Sequence, residues 1–278
     1  MERLSENRRA AIWSIALLFV GLFVWEISIS AQAVNTGELT EYEILTGAGT
    51  AKAGVPPPSE VAVKAWQELS NPFYDAGPND KGIGIQIGYS IYRVLTGYFL
   101  AAIIAIPLGF LIGMSSVAYK ALNPFIQVLR PISPLAWMPL ALFIIQDSEA
   151  SAIFVIFICS IWPMLLNTAF GVAGVREDWV NVARTHELSA IKTAFTVVLP
   201  AAAPTIVTGM RISIGIAWLV IVAAEMLVGG TGIGYYVWNE WNNLDLTSVI
   251  FSILMIGIVG MLLDAAFGLL QRRVAYVE

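Results

Sequence analysis

The strongest constraint in this sequence is the length of its apolar blocks. A helix that crosses a bilayer needs roughly 20 consecutive apolar residues. Six blocks approach or exceed that length, at about 10–30, 82–114, 123–146, 151–173, 204–228 and 246–270. Charged residues occupy only 13% of the 278 positions and hydrophobic ones 58%, against about 25% charged in a typical soluble domain. The short alternating segments of a membrane β-barrel are not seen. The expectation is an all-α polytopic membrane protein of about six transmembrane helices. It forms a single transmembrane domain over 1–278, with a first span at 10–30, an extracytoplasmic segment at 31–81 and a five-helix core at 82–278.

Arg8 and Arg9, the apolar run after them and Ala31-Gln32-Ala33 resemble a secretory signal. The run is longer than the roughly 7–15 residues of a cleavable core, and a retained signal-anchor is expected. In the polar segment, Gly47, Gly49 and Gly54 precede Pro56-Pro57-Pro58. Ser59 is placed to cap a short helix with Glu60 in its first turn. Val61, Ala65 and Leu69 share a face of that helix, with Trp66 beside them. The block from Gly82 to Tyr98 puts Ile83, Ile87, Ile91, Val94 and Tyr98 at helical spacing. Gly109 and Gly113 form a small-xxx-small pair that either lets another helix approach closely or merely permits bending. Four prolines, Pro124, Pro131, Pro134 and Pro139, predict that the third span is kinked or broken, with its freed backbone buried in protein or lining a wet cavity.

Basic residues set the orientation. If six spans alternate, Arg3, Arg8, Arg9, Lys120, Arg176, Arg184, Lys192, Arg272 and Arg273 all fall on one side. That side is expected to be the cytoplasm, with both termini on it. The opposite side holds 31–81, where Lys52, Lys64 and Lys81 are outnumbered by Glu38, Glu41, Glu43, Glu60, Glu68, Asp75 and Asp80. A net charge of −5 with no basic stripe argues against a nucleic-acid partner. Cys159 is the only cysteine and cannot form an internal disulfide; it reads as a small buried hydrophobe. His186, the only histidine, has no second ligand near it, so no metal site is expected.

The loop at 174–203 is the unusual stretch. It is charged and amphipathic, yet lies between two apolar spans. Trp179, Val182, Ala183 and His186 share one helical face, and Phe195, Val198 and Leu199 another; Pro200 is expected to stop the helix. An ordered amphipathic loop outside the bilayer needs a surface to pack on, either its own chain or a partner. Asn181-Val182-Ala183, three residues, Glu187, nine residues, then Val197-Val198-Leu199-Pro200 resembles the "EAA" coupling loop of ABC-importer permeases. That pattern is Glu-Ala-Ala, three residues, Gly, nine residues, Ile-x-Leu-Pro. Here Asn181 replaces the Glu and Glu187 the Gly. The family's Gly turns the chain between two short helices, and a glutamate lacks that backbone freedom. The turn is therefore expected to shift to Leu188-Ser189, or the helices to be joined differently. Other stretches resemble the same family, among them "NPFIQVLRPISPLAWMPLALFII" and "TGMRISIGIAWLVIVAAEML". The wording is nearest the nitrate/bicarbonate branch, with taurine and aliphatic-sulfonate permeases next.

The resemblance implies a type I importer permease in the cell inner (plasma) membrane. Two permease subunits would form a homodimer, two cytoplasmic ABC ATPase subunits would dock on the loop, and an extracytoplasmic solute-binding protein would deliver the cargo. Lipid surrounds the spans. ATP and Mg belong to the ATPase subunits; no P-loop pattern occurs here, and no cofactor or enzymatic activity is expected of this chain. Asn181, Val182, Ala183, Arg184, Glu187, Leu188 and Ser189 would make the ATPase contact. Nitrate or nitrite is the first cargo, with bicarbonate or a sulfonate as alternatives. A gradient-driven secondary transporter is the rival class; it would explain charges within the spans but not the loop. Charges inside spans are costly and default to function. Arg211 is a candidate for drawing an anion through the pathway, and Glu225 for gating the outer mouth or pairing with the second subunit; each could instead be a structural ion pair. Arg130 and Asp264 read as structural. Trp137, Met138, Trp162, Asn167 and Trp218 are further candidates to line the pathway. Gly229–Gly234, "GGTGIG", reads as a tight outer loop.

Overall fold

In a computed structural model, residues 2–35, 55–77 and 80–274 are described; Gly47, Gly49 and Gly54 lie outside them. The helices are α1 (Glu2–Asn35), α2 (Pro58–Ser70), α3 (Ile83–Met114), α4 (Ser116–Leu129), α5 (Met138–Ile145), α6 (Ser148–Ala173), α7 (Glu177–Thr185), α8 (Ala190–Thr193), α9 (Leu199–Val228), α10 (Ile233–Asn242) and α11 (Leu246–Val274). One short antiparallel pair, β1 (Asp75–Gly77) with β2 (Asp80–Lys81), precedes α3. Among the described residues, five helical runs are long and apolar enough to cross a membrane, and one bent pair makes up to six.

Contacts divide the chain into two units, Met1–Pro72 with Asn239–Ile253, and Phe73–Trp238 with Leu254–Glu278. The first holds α1, whose apolar surface from Arg8 to Ile29 is almost wholly uncovered by protein, as lipid contact requires. Glu26 of α1 accepts hydrogen bonds from the backbone N–H of Ser59 at 3.2 Å and from its hydroxyl at 2.9 Å. Ser59 therefore does not cap α2, which starts at Pro58 after Pro57. The buried face of α2 also differs from the apolar pattern. Val61 and Glu68 are buried, while Trp66 and Leu69 are exposed.

The second unit is built on α3, α6 and α9. Glycines let the backbones approach: a Cβ on Gly109 would meet the Leu165 carbonyl at 2.6 Å, and one on Gly113 the Ala169 carbonyl at 2.7 Å. Close approach, not bending, is what this pair serves. The contacts Gly97–Ile153, Gly109–Leu165 and Gly113–Val172 ascend together, so α3 and α6 run parallel. Gly209 against Asn167 and Gly171 against Thr205 run in opposite order, so α9 is antiparallel to α6. Parallel α3 and α6 require the chain to cross back between them. That return is the proline-rich segment, which breaks into α4 and α5 at a bend of 84°. A 3-10 turn at Pro134–Trp137 joins the two. At one end of the bundle, Val172, Val198, Ala202 and Ile206 form a buried cluster, with Val180 of α7 packed against it.

Pro200 does not stop the helix. It occupies the first turn of α9, where a missing N–H is harmless. A π-helical turn at Ala194–Val198 links α8 to α9, and the run from Ala190 to Val228 is 39 residues long. The wider π turn carries the chain into Pro200 without breaking the rod.

Candidate functional site

Sequence periodicity missed the main polar site. Gln86, Ser90 and Arg93 stand at i, i+4 and i+7 on one face of α3 and are all buried. Ser90 and Arg93 meet Glu225, buried near the end of α9 with 1% of its surface exposed. Arg93 donates to Glu225 Oε1 at 2.9 Å and to the Thr231 carbonyl at 2.6 Å. Ser90 Oγ lies 2.8 Å from both carboxylate oxygens. The next three backbone N–H groups of the loop are all taken: Gly232 by Gln86 Oε1 at 2.6 Å, Ile233 by Ser90 Oγ at 2.9 Å and Gly234 by Glu225 Oε2 at 2.9 Å. These are orphan donors at the start of α10, and a carboxylate there also opposes the helix dipole favourably. Gly229 and Gly230 have φ of +77° and +90°, which glycine alone adopts without strain. The Gly-rich loop is thus latched onto α3 and α9. Glu225 pairs within its own chain. The overlooked signal was the polar spacing Gln86, Ser90, Arg93 inside an apolar block.

At the opposite end of the α8–α9 run lies the hairpin of the 174–203 loop. Here the structure corrects the sequence reading. The turn has not moved to Leu188-Ser189. Glu187 itself takes the left-handed conformation, with φ +54°. Glu187 N–H bonds the Arg184 carbonyl at 2.9 Å, and Leu188 N–H the Ala183 carbonyl at 3.2 Å. This pair of bonds is a Schellman motif, in which the left-handed residue is usually glycine. Ser189 then caps α8, accepting from Lys192 N–H at 3.3 Å. Satisfied carbonyls and a cap offset the roughly 1–2 kcal/mol cost of a left-handed side-chain residue. Asn181, Val182, Arg184, Glu187 and Ser189 are exposed, and Leu188 is half-buried. Ala183 is buried within the chain at 2% exposure. It seats α7 on the body and is not part of the open face. His186 is exposed.

The pathway candidates separate. Trp162 and Asn167 line a cavity of about 540 Å³ together with Arg130 and Cys159. Met138 is buried at 1% exposure, and Trp137 is half-buried. Trp218 is buried and donates its indole N–H to the Ile256 carbonyl at 2.9 Å. Arg211 forms a two-pronged pair with Asp264, at 2.7 and 2.6 Å, and reaches Gln271 Oε1 at 3.0 Å. Its charge is thereby matched on the bundle surface.

Outside the spans, one electrostatic cluster lies in the first unit. Lys64 bonds Glu68 at 2.9 Å. Burial holds the Glu240 carboxyl above the ordinary carboxylate range, and the charge of Asp245 adds to the rise. Burial also acts upward on Asp245, but hydrogen bonds from the Ser248 hydroxyl and backbone N–H outweigh it and hold that carboxyl below its usual value. No group of three or more potential metal ligands occurs among the described residues.

Comparison with known proteins places this geometry. The chain is 43% identical over 265 residues to the nitrate import permease protein NrtB of Synechocystis sp., spanning 95% of this chain and 88% of that one. It is 42% identical over 246 residues to the bicarbonate transport system permease protein CmpB of the same organism, spanning 86% of each. The inward-facing MetNI methionine ABC transporter matches in fold, with a TM-score of 0.59 over 68% of this chain and 94% of that one, at 16% identity. Residues 105–276 match the model of the binding-protein-dependent transport system inner membrane component. The chain therefore belongs to that family, the multi-pass inner-membrane permease subunits of ABC importers.

Proposed function

We propose that this chain is the translocating subunit of an ATP-driven importer for a small anion, with nitrate the first cargo and bicarbonate the second. The observation that carries the reading is the similarity to a nitrate import permease over nearly the whole chain. Close similarity to a bicarbonate permease keeps the second cargo in view. In this reading two copies form the pathway, and an extracytoplasmic binding protein delivers the anion. Two cytoplasmic ATPase subunits, which hold ATP and Mg, dock on the exposed face of the hairpin. Asn181, Val182, Arg184, Glu187, Leu188 and Ser189 make that contact, and Ala183 anchors it from beneath. Both termini face the cytoplasm, which the basic-residue distribution supports. Packing of Val180 into the buried cluster with Val198 and Ala202 supports a rigid link from the hairpin to α9.

Uptake into proteoliposomes tests this. With ATPase partners and binding protein reconstituted, nitrate should enter only when ATP is present on the ATPase side. Bicarbonate uptake exceeding nitrate uptake would transfer the cargo assignment. Uptake indifferent to ATP but sensitive to an ion gradient would replace the importer reading with a secondary transporter.

A further inference from the structure

We infer that the cavity beside the broken span is a transit site for a planar, monovalent oxyanion, and that Arg130 supplies its charge. The inference rests on the anion-importer reading and adds the residue and the charge selectivity of the site. Of Arg93, Arg130 and Arg211, two are neutralised. Arg93 is held by Glu225 at 2.9 Å, and Arg211 by Asp264 at 2.6 Å. Among the described residues, no carboxylate or side-chain hydrogen bond engages the Arg130 guanidinium, and Arg130 lines the cavity. It stands at the C-terminal cap of α4, just before the chain breaks toward α5. The proline-induced break is what brings a cation to this wall rather than burying it inside a rod.

The other walls define the ligand. Asn167 directs one amide hydrogen to the Pro163 carbonyl at 2.8 Å, which leaves its second N–H and its carbonyl oxygen for a guest. Trp162, Ile212 and Ile216 are apolar or aromatic surfaces. No Asp or Glu lines the cavity among the described residues. A guanidinium offers planar, two-pronged donation to an oxyanion. One guanidinium charge balances one negative charge; a divalent anion would leave a charge unmatched at this wall. A zwitterion such as a sulfonate amine would find no carboxylate to match its ammonium. Both nitrate and bicarbonate are planar monoanions, and the measurement separates them.

The test compares wild type, R130Q and R130K in the full importer, with nitrate, bicarbonate, taurine and sulfate as separate arms. The maximum rate of ATP-driven uptake should fall about tenfold or more in R130Q, as expected for losing a charge-assisted contact. R130K should keep a larger share. A second readout needs no transport. In a C159S/I216C background, anionic and cationic methanethiosulfonate reagents report the local potential. The anionic-to-cationic rate ratio should drop several-fold when R130Q is added. Nitrate or bicarbonate should slow labelling, whereas equal sulfate or taurine should not. Uptake and labelling ratio both unchanged in R130Q would overturn the inference, as would labelling that no monoanion slows. A wild-type importer that moves no anion with ATP would defeat the proposed function instead, and the labelling ratio and its protection by monoanions would then decide the cavity alone.

Discussion

The two ends of the helical run from Ala190 to Val228 are built on opposite plans. At the Val228 end, Glu225 is sunk among Ser90, Arg93 and the loop N–H groups, and every oxygen of its carboxylate is used. At the Ala190 end, the hairpin keeps its charges outward, while Ala183 is buried and Val180 packs on the buried cluster. One end closes its polar groups within the chain. The other holds a defined shape but leaves Val182 and Trp179 exposed. A locked end resists displacement, and a shaped open end can receive a partner. A continuous helix joins the two, interrupted only by the π turn.

The largest effect expected from breaking this contrast is at the locked end. E225A strips Arg93 of its carboxylate and leaves three polar groups buried. Removing one partner of a buried pair costs about 3–5 kcal/mol, so thermal unfolding of the purified protein should occur at clearly lower temperature, with the Gly229–Gly234 loop becoming open to proteolysis. A variant as stable as wild type would mean that water or another group replaces the carboxylate without loss. The open end should respond next. A183F forces a ring under α7 where 2% of the alanine is exposed; overpacking costs about 1–3 kcal/mol. Membrane insertion should persist while ATP-coupled uptake is lost. Retained uptake would show that the seat of α7 is not part of the coupling. The smallest effect has the opposite sign. E187G puts glycine at φ +54° and should stabilise the hairpin by about 0.5–1 kcal/mol, the left-handed penalty less the added entropy of an unfolded glycine. Hydrogen exchange at Leu188, whose N–H closes the motif, should slow accordingly. Faster exchange would mean that the Glu187 side chain itself holds the turn.

These two ends also differ in how much of each is legible in the sequence. The hairpin's place followed from the EAA-like spacing, because a local pattern survives in sequence, whereas Pro200 marked no end of the helix. Its turn residue did not: a glycine preference says where a left-handed residue is cheap, not where neighbouring hydrogen bonds make another residue tolerable. Glu187 is such a case. The latch was half legible. Glu225 stood out as a charge within a span, but its partner lies 132 residues earlier in the chain. The apolar period of Ile83, Ile87 and Ile91 drew attention from the buried polar face of α3. For Arg211 the sequence left an anion-drawing role and a structural ion pair both open, and the pair with Asp264 is seen in the structure. Whether a cation in a span is free depends on an acid far away in sequence, and Asp264 reaches Arg211 but no acid reaches Arg130 among the described residues.

What the sequence determined by itself was the solvent and the class of fold. Long apolar blocks exclude water and force the backbone to bond within each segment, and only helices do that along a single stretch of chain. The four prolines likewise foretold a broken third span, since several rings without an N–H in one short stretch weaken its helical bonding, although Pro124 alone is accommodated inside α4. Tertiary structure alone decided which charges are spent on one another and which stay open. Pairing between α3 and α9, or between α9 and α11, depends on helix rotation and depth. Those are set by the close glycine contacts of α3, α6 and α9 and not by any local preference of the chain.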